Sequence, residues 1–251
     1  MPELPASVRV ALWVTHAWSG GTTLTHAIDR ALPDVEHTEG LVEQVRVWRD
    51  LGEAALLVAL PGPGDLHGLP RCGPVATDAA VEAGEAVFVA GLGGMLVPQV
   101  STFGSEGALG LRIDWAEHDA DPVPPHRIEA LEPSQLERHL RGHLLSAIDE
   151  LDRIGGTPWA DDLSRDLLDD RLGADWALPD AMPERARKVI GLAGTVAVAA
   201  EVGLGASGAV TAAHDEERAA ALRRLARSCE QTLADATNAA CAQLAGWVPI
   251  R

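Results

Sequence analysis

Apolar residues recur at spacings of three and four along residues 133–154: Leu136, Leu140, Leu144, Ala147 or Ile148, Leu151 and Ile154. That is the period of one helix face. Gly155-Gly156 and then Pro158 stop the pattern. Burying six such side chains gives roughly 9–18 kcal/mol gross, while ordering about 22 residues costs at least as much, at ~1–2 kcal/mol each. The helix therefore needs a partner, and the expectation is that its stripe lies over apolar strands upstream. A second stripe, Leu222, Leu225, Cys229, Leu233, Ala236, Ala240 and Leu244, predicts a helix from Thr211 to Ala245. Between them a short helix is expected over 160–172 and a small-residue helix from Pro183 to Val202.

The first half follows a different pattern. Residues 54–60 and 86–90 are continuous apolar runs closed by Gly and Pro, the mark of interior strands. Met95 to Ser101 is a third strand. Leu109, Leu111, Ile113 and Trp115 alternate with polar or small residues, so 109–117 is a half-buried fourth. Glycine turns between successive strands predict antiparallel hairpins. Residues 6–18 alternate Val8, Val10, Leu12 and Val14 like a strand, yet Gly20-Gly21 reads as a helix stop and Thr22-Thr23 as the cap of a helix over Leu24–Leu32; the reading is a helix. Short helices are also expected near Leu41–Leu51 and through Thr77–Glu82. At Pro122, Pro124 and Pro125 the chain stiffens and then turns helical. The fold class is α+β: a small, partly antiparallel N-terminal sheet with short helices over residues 1–122, then a helical layer or bundle over 123–251 packing on it, possible as one single domain.

Charge changes what this architecture can do. The 251 residues carry 37 acids and 20 bases, a net −17. An acidic body repels polyanions and anionic lipid surfaces, so neither nucleic acid nor membrane is expected as a partner. The single Lys is Lys188, and there is no Tyr, which removes most candidates for a Schiff base or a phenolic acid. Cys72, Cys229 and Cys241 form no C-x-x-C pair, against a disulfide framework or zinc ribbon. With Pro2, Glu3 and Pro5 where a signal peptide carries bases, the expected location is cytoplasmic. The apolar stretch from Val189 is mostly Ala and Gly and runs into Glu201, so a buried helix is the reading there.

Few motifs survive their surroundings. Residues 203–208 match G-x-G-x-x-G, but a dinucleotide site needs a preceding strand, and a helix is expected there. No cofactor is expected. His118, Asp119, Asp121 and His126 cluster after the fourth strand, where imidazole and carboxylate together could hold a metal; a Pro-stiffened acidic linker with solvated side chains is the plainer reading. His139 and His143 share a helix face without the H-E-x-x-H pattern. Asp65 reads as a turn cap, and Asp161-Asp162 and Asp169-Asp170 as helix-surface charge.

Three stretches, Leu60-Pro61-Gly62-Pro63-Gly64-Asp65 with Gly68-Leu69, then Ala83 to Val87, and the Leu-rich helix from Pro133, together resemble a group of uncharacterised proteins from high-GC actinobacteria. The resemblance implies no activity and no catalytic residue, and favours a helix over 6–18. The expectation for function is a non-catalytic protein acting through protein contacts, a homo-oligomer or a partner meeting the long C-terminal helix. The alternative is a metal-assisted or acid/base enzyme with a site at His118–His126.

Overall fold

The computed structural model describes residues 4–105, 108–154, 178–205 and 212–249. In chain order these form α1 (Ala6–Trp18), α2 (Leu24–Ala31), β1 (His37–Glu39), α3 (Leu41–Asp50), β2 (Leu57–Ala59), α4 (Pro74–Ala83), β3 (Ala86–Phe88), β4 (Met95–Ser105), β5 (Ala108–His118), α5 (Pro125–Glu129), α6 (Pro133–Ile154), α7 (Glu184–Gly205) and α8 (Ala212–Leu244). The fold is α+β. The helix expected over 160–172 lies outside the described residues.

The strands make one sheet in the order β1-β5-β4-β3-β2. β2, β3, β4 and β5 pair antiparallel in succession, and β1 joins β5 in parallel. Gly93 and Gly94 turn β3 into β4 with φ of +78° and +94°, a conformation that costs other residues a clash at Cβ. β1 was not legible in the pattern. His37-Thr38-Glu39 is short and polar, and it is a strand only because β5 offers it a partner.

α1 is a helix, and the reason its period is hard to read is burial on every side. Each residue from Ala6 to Thr15 is buried, so no polar stripe marks a solvent face. Its Thr15 hydroxyl accepts the Leu56 N–H at 2.9 Å and donates to the Leu56 carbonyl at 3.2 Å. Asn238 of α8 does the same for the Val58 peptide. Polar side chains from two helices thus satisfy the outer edge of β2, a row of backbone groups that burial would otherwise leave unpaired.

The helices settle on the sheet in a different arrangement from the expected one. α6 packs its stripe on α8 and α7, whereas α1 and α8 are the helices against β2. In the stripe Ala147 is buried and Ile148 is 44% exposed, so Ala147 is the inward residue. The reason is length and composition: 33-residue α8 carries enough small side chains, Ala234, Ala236, Ala240 and Cys241 all buried, to approach β2 and α1 closely. α6 then finds its partner on the outside of α8. One cluster of buried side chains runs from α1 through the strands into α7 and α8. In the apolar stripe of α8, Leu222, Leu225, Cys229, Leu233, Ala236 and Ala240 are buried inside the molecule. Among the described residues α7 is the one helix long and apolar enough to cross a membrane, and it packs closely on α8.

Candidate ligand-binding cleft

The loop after β2 is built to place one histidine. Gly62 and Asp65 exchange backbone hydrogen bonds at 2.8 and 2.9 Å, with Gly64 at φ +79° between them. Asp65 is the turn cap the sequence indicates: its Oδ1 accepts the His67 N–H at 2.9 Å. Its Oδ2 accepts from Gln231 Nε2 at 2.8 Å, which ties the loop to α8. His67 Nε2 then lies 3.1 Å from both carboxylate oxygens of Asp235, also on α8.

The opposite wall is the connector after β5. Gly94 N–H donates to the Ala120 carbonyl (3.1 Å), Asp121 N–H to that of Arg71 (2.7 Å) and Val123 N–H to that of Ala90 (2.9 Å). Proline in this connector removes donors that the ladder would need, and these three bonds hold it instead. Pro125 opens α5, whose Ile128 is buried and which packs on α8.

Between the two walls is a cleft of about 630 Å³. Phe88, Leu69, Ile128 and Leu131 give it apolar sides; His67, Arg71, Asp121, Arg127, Asp235 and Asn238 supply the polar groups. The hydrogen bond to Asp235 raises the His67 pKa above its ordinary 6.5; partial burial opposes the shift, Asp65 adds to it, and the Arg127 guanidinium pulls it back. Asp235 and Asp65 are thus already engaged. Among the described residues the side chains of Arg71 and Arg127 make no ion pair. A larger, more open cavity of about 850 Å³ lies between α6, α7 and α8. Two of the arginines that line it are paired with acids, Arg224 with Glu150 at 2.6 Å and Arg227 with Glu230 at 2.7 Å.

The four residues singled out from sequence as a metal set are spread over this region. Asp121 lines the cleft, while Asp119 lines a shallow depression beside Arg71 and Cys72. His118 ends β5 with Nε2 buried and without a hydrogen-bond partner among the described residues. His126 sits exposed on α5. Among the described residues no three His, Cys, Asp or Glu side chains gather as a metal-holding group. His139 and His143 are exposed on α6. Gly203 and Gly205 end a helix, α7, rather than follow a strand. The sequence reading missed His67, Arg71, Arg127 and Asp235. Only the loop glycines around His67 could have pointed to it, since Asp235 is 168 residues away.

Cys229 and Cys241 are buried, and burial pushes both thiols up to about 12. They behave as small apolar core residues.

Two family models match the chain: the N-terminal domain of the Rv1486c-like protein over residues 7–130 and its C-terminal domain over residues 134–245. The label is mycobacterial, in keeping with the resemblance to actinobacterial proteins, and carries no activity. No curated protein and no solved structure matches.

Proposed function

The chain belongs to the Rv1486c-like family, and from that premise we propose that it is a binding protein whose cleft takes a small acid: one anionic group joined to an apolar body. One observation carries the reading. In a chain of net charge −17, two arginines without ionic partners among the described residues and a histidine with a raised pKa line one apolar-walled cleft. The net charge of the molecule repels an anion; in this cleft the Arg71 and Arg127 guanidiniums attract it, while His67 engages Asp235 and so lessens that carboxylate's repulsion. Phe88, Ile128 and Leu131 bury the apolar part. Asp121 at the cleft wall disfavours a second negative charge, so a monoanion such as a carboxylate fits better than a polyphosphate.

Thermal shift and calorimetry against aliphatic and aromatic carboxylic acids, each beside its neutral amide, test this. The acids raise the melting temperature once their concentration exceeds Kd, and the amides do not. Arg127→Ala and Arg71→Ala each weaken binding roughly tenfold, the worth of one charge-assisted hydrogen bond. Equal responses to acids and amides, or none to either, reject the reading.

A further inference from the structure

We propose that two copies of this chain pair through the outer edge of β4, antiparallel about a two-fold axis normal to the sheet. The two outer strands of the sheet, β2 and β1, offer a second copy less: one is capped and the other short. β2 is capped by Thr15 and Asn238. The outer side of β5 takes β1, and beyond β1 the Glu36 N–H donates to the Leu111 carbonyl at 3.0 Å. β1 itself is three residues long and carries Glu39. β4 is different. β3 pairs only with its Met95 and Leu96; among the described residues no strand pairs with that side further along, and Gln99 to Ser105 are exposed.

A long, exposed edge is ordinarily guarded by charge. Here Met95 to Ser105 carries none, in a chain of net charge −17. Two such bodies repel each other over most of their surfaces, and an uncharged strand is where they can approach. Pro98 has no N–H to donate, and Gly104, at φ +111°, bends the far end, so the pairing segment is Gln99–Phe103. In antiparallel pairing this segment is its own complement. Centred on Ser101, it sets Val100 opposite Thr102 and Gln99 opposite Phe103. Because the two-fold is normal to the sheet, the exposed Val100 and Leu109 of each copy fall on one common face. Such an isologous contact needs no second species. A five-residue seam is small, so the dimer is weak and dependent on concentration.

Sedimentation velocity of the full chain from about 1 to about 300 µM tests this, since a contact of this size associates in that range. The mass rises from 26.4 kDa toward twofold. Added salt strengthens the association, because it screens repulsion between like bodies. Ser101→Lys and Val100→Lys stay at the monomer mass throughout, with melting temperatures unchanged since both side chains are exposed. Leu145→Lys, equally exposed but on α6, associates like the parent. A monomer at every concentration, a Ser101→Lys dimer, or loss of association in Leu145→Lys overturns the proposal.

Discussion

The side-chain amide of Asn238 and the peptide of Val58 exchange two hydrogen bonds, the Val58 N–H to Oδ1 at 2.8 Å and Nδ2 to the Val58 carbonyl at 2.9 Å, across 180 residues of sequence. The amide takes the place of a neighbouring strand. Because Val58 is fully buried, no water can replace it. Asn238→Ala leaves a donor and an acceptor unpaired, at a cost of roughly 2–4 kcal/mol. For a chain of this length the melting temperature falls by about 5–15 °C. A loss of under about 2 °C by calorimetry would show that the pairing contributes little.

Gly93 couples the β3–β4 turn to the cleft. Its φ is +78°, and an added Cβ would press on the Ala120 carbonyl and come within 3.2 Å of Pro122 N. Both neighbours are backbone, so neither can swing aside. Gly93→Ala is expected to cost about 2 kcal/mol, from the left-handed penalty and the displaced connector. Small-acid binding should weaken as well, because Asp121 and Val123 move with that connector. Unaltered affinity in a destabilised variant would separate the turn from the cleft.

His67 has a pKa above 6.5, raised first by its hydrogen bond to Asp235. A histidine with a raised folded value adds stability that is complete below about 6.5 and is lost as pH climbs through the folded value. NMR titration of the ring should therefore give a midpoint above 6.5, and Asp235→Asn should bring it down. Acid binding in the cleft should weaken over the same interval. A midpoint at or below 6.5 in the parent chain counts against both the ion pair and the anion reading.

Glu85 accepts the Ser7 N–H at 2.7 Å at the start of α1. Burial pushes its carboxyl up, against the pull of that hydrogen bond and of Arg9. A raised carboxyl favours the fold when protonated, so its contribution is greatest below 4.5 and declines as pH rises through the folded value. Glu85→Gln keeps an acceptor and removes the charge, so it should melt a few degrees above the parent at pH 7 and level with it at pH 4. Glu85→Leu orphans the Ser7 N–H and should melt lower at both. If Gln and Leu lower the melting temperature alike at pH 7, the half-buried charge is stabilising after all.

Thiol reactivity checks the packing of α8. In the folded chain Ellman's reagent should titrate Cys72 alone, since Cys229 and Cys241 are buried with thiols near 12. All three should react in denaturant. Fast reaction of a second thiol in the native protein would mean that α8 does not lie closed against α1 and β2.

Local sequence determined most of the elements. The left-handed Gly84 after α4 and the Gly93–Gly94 turn set torsions that a few residues impose by themselves, and the strands β3 to β5 followed from alternation and short turns. Asp65 was legible as a cap for the same reason: its bond reaches two residues. What only the tertiary structure decided was which surfaces meet. The order of helices on the sheet, the burial of α1 on every side, the parallel partner that makes a strand of His37–Glu39, and the meeting of His67 with Asp235 all join distant segments. Such contacts depend on how the whole chain closes and which side chains are small enough to allow approach, and no window of neighbouring residues holds that information.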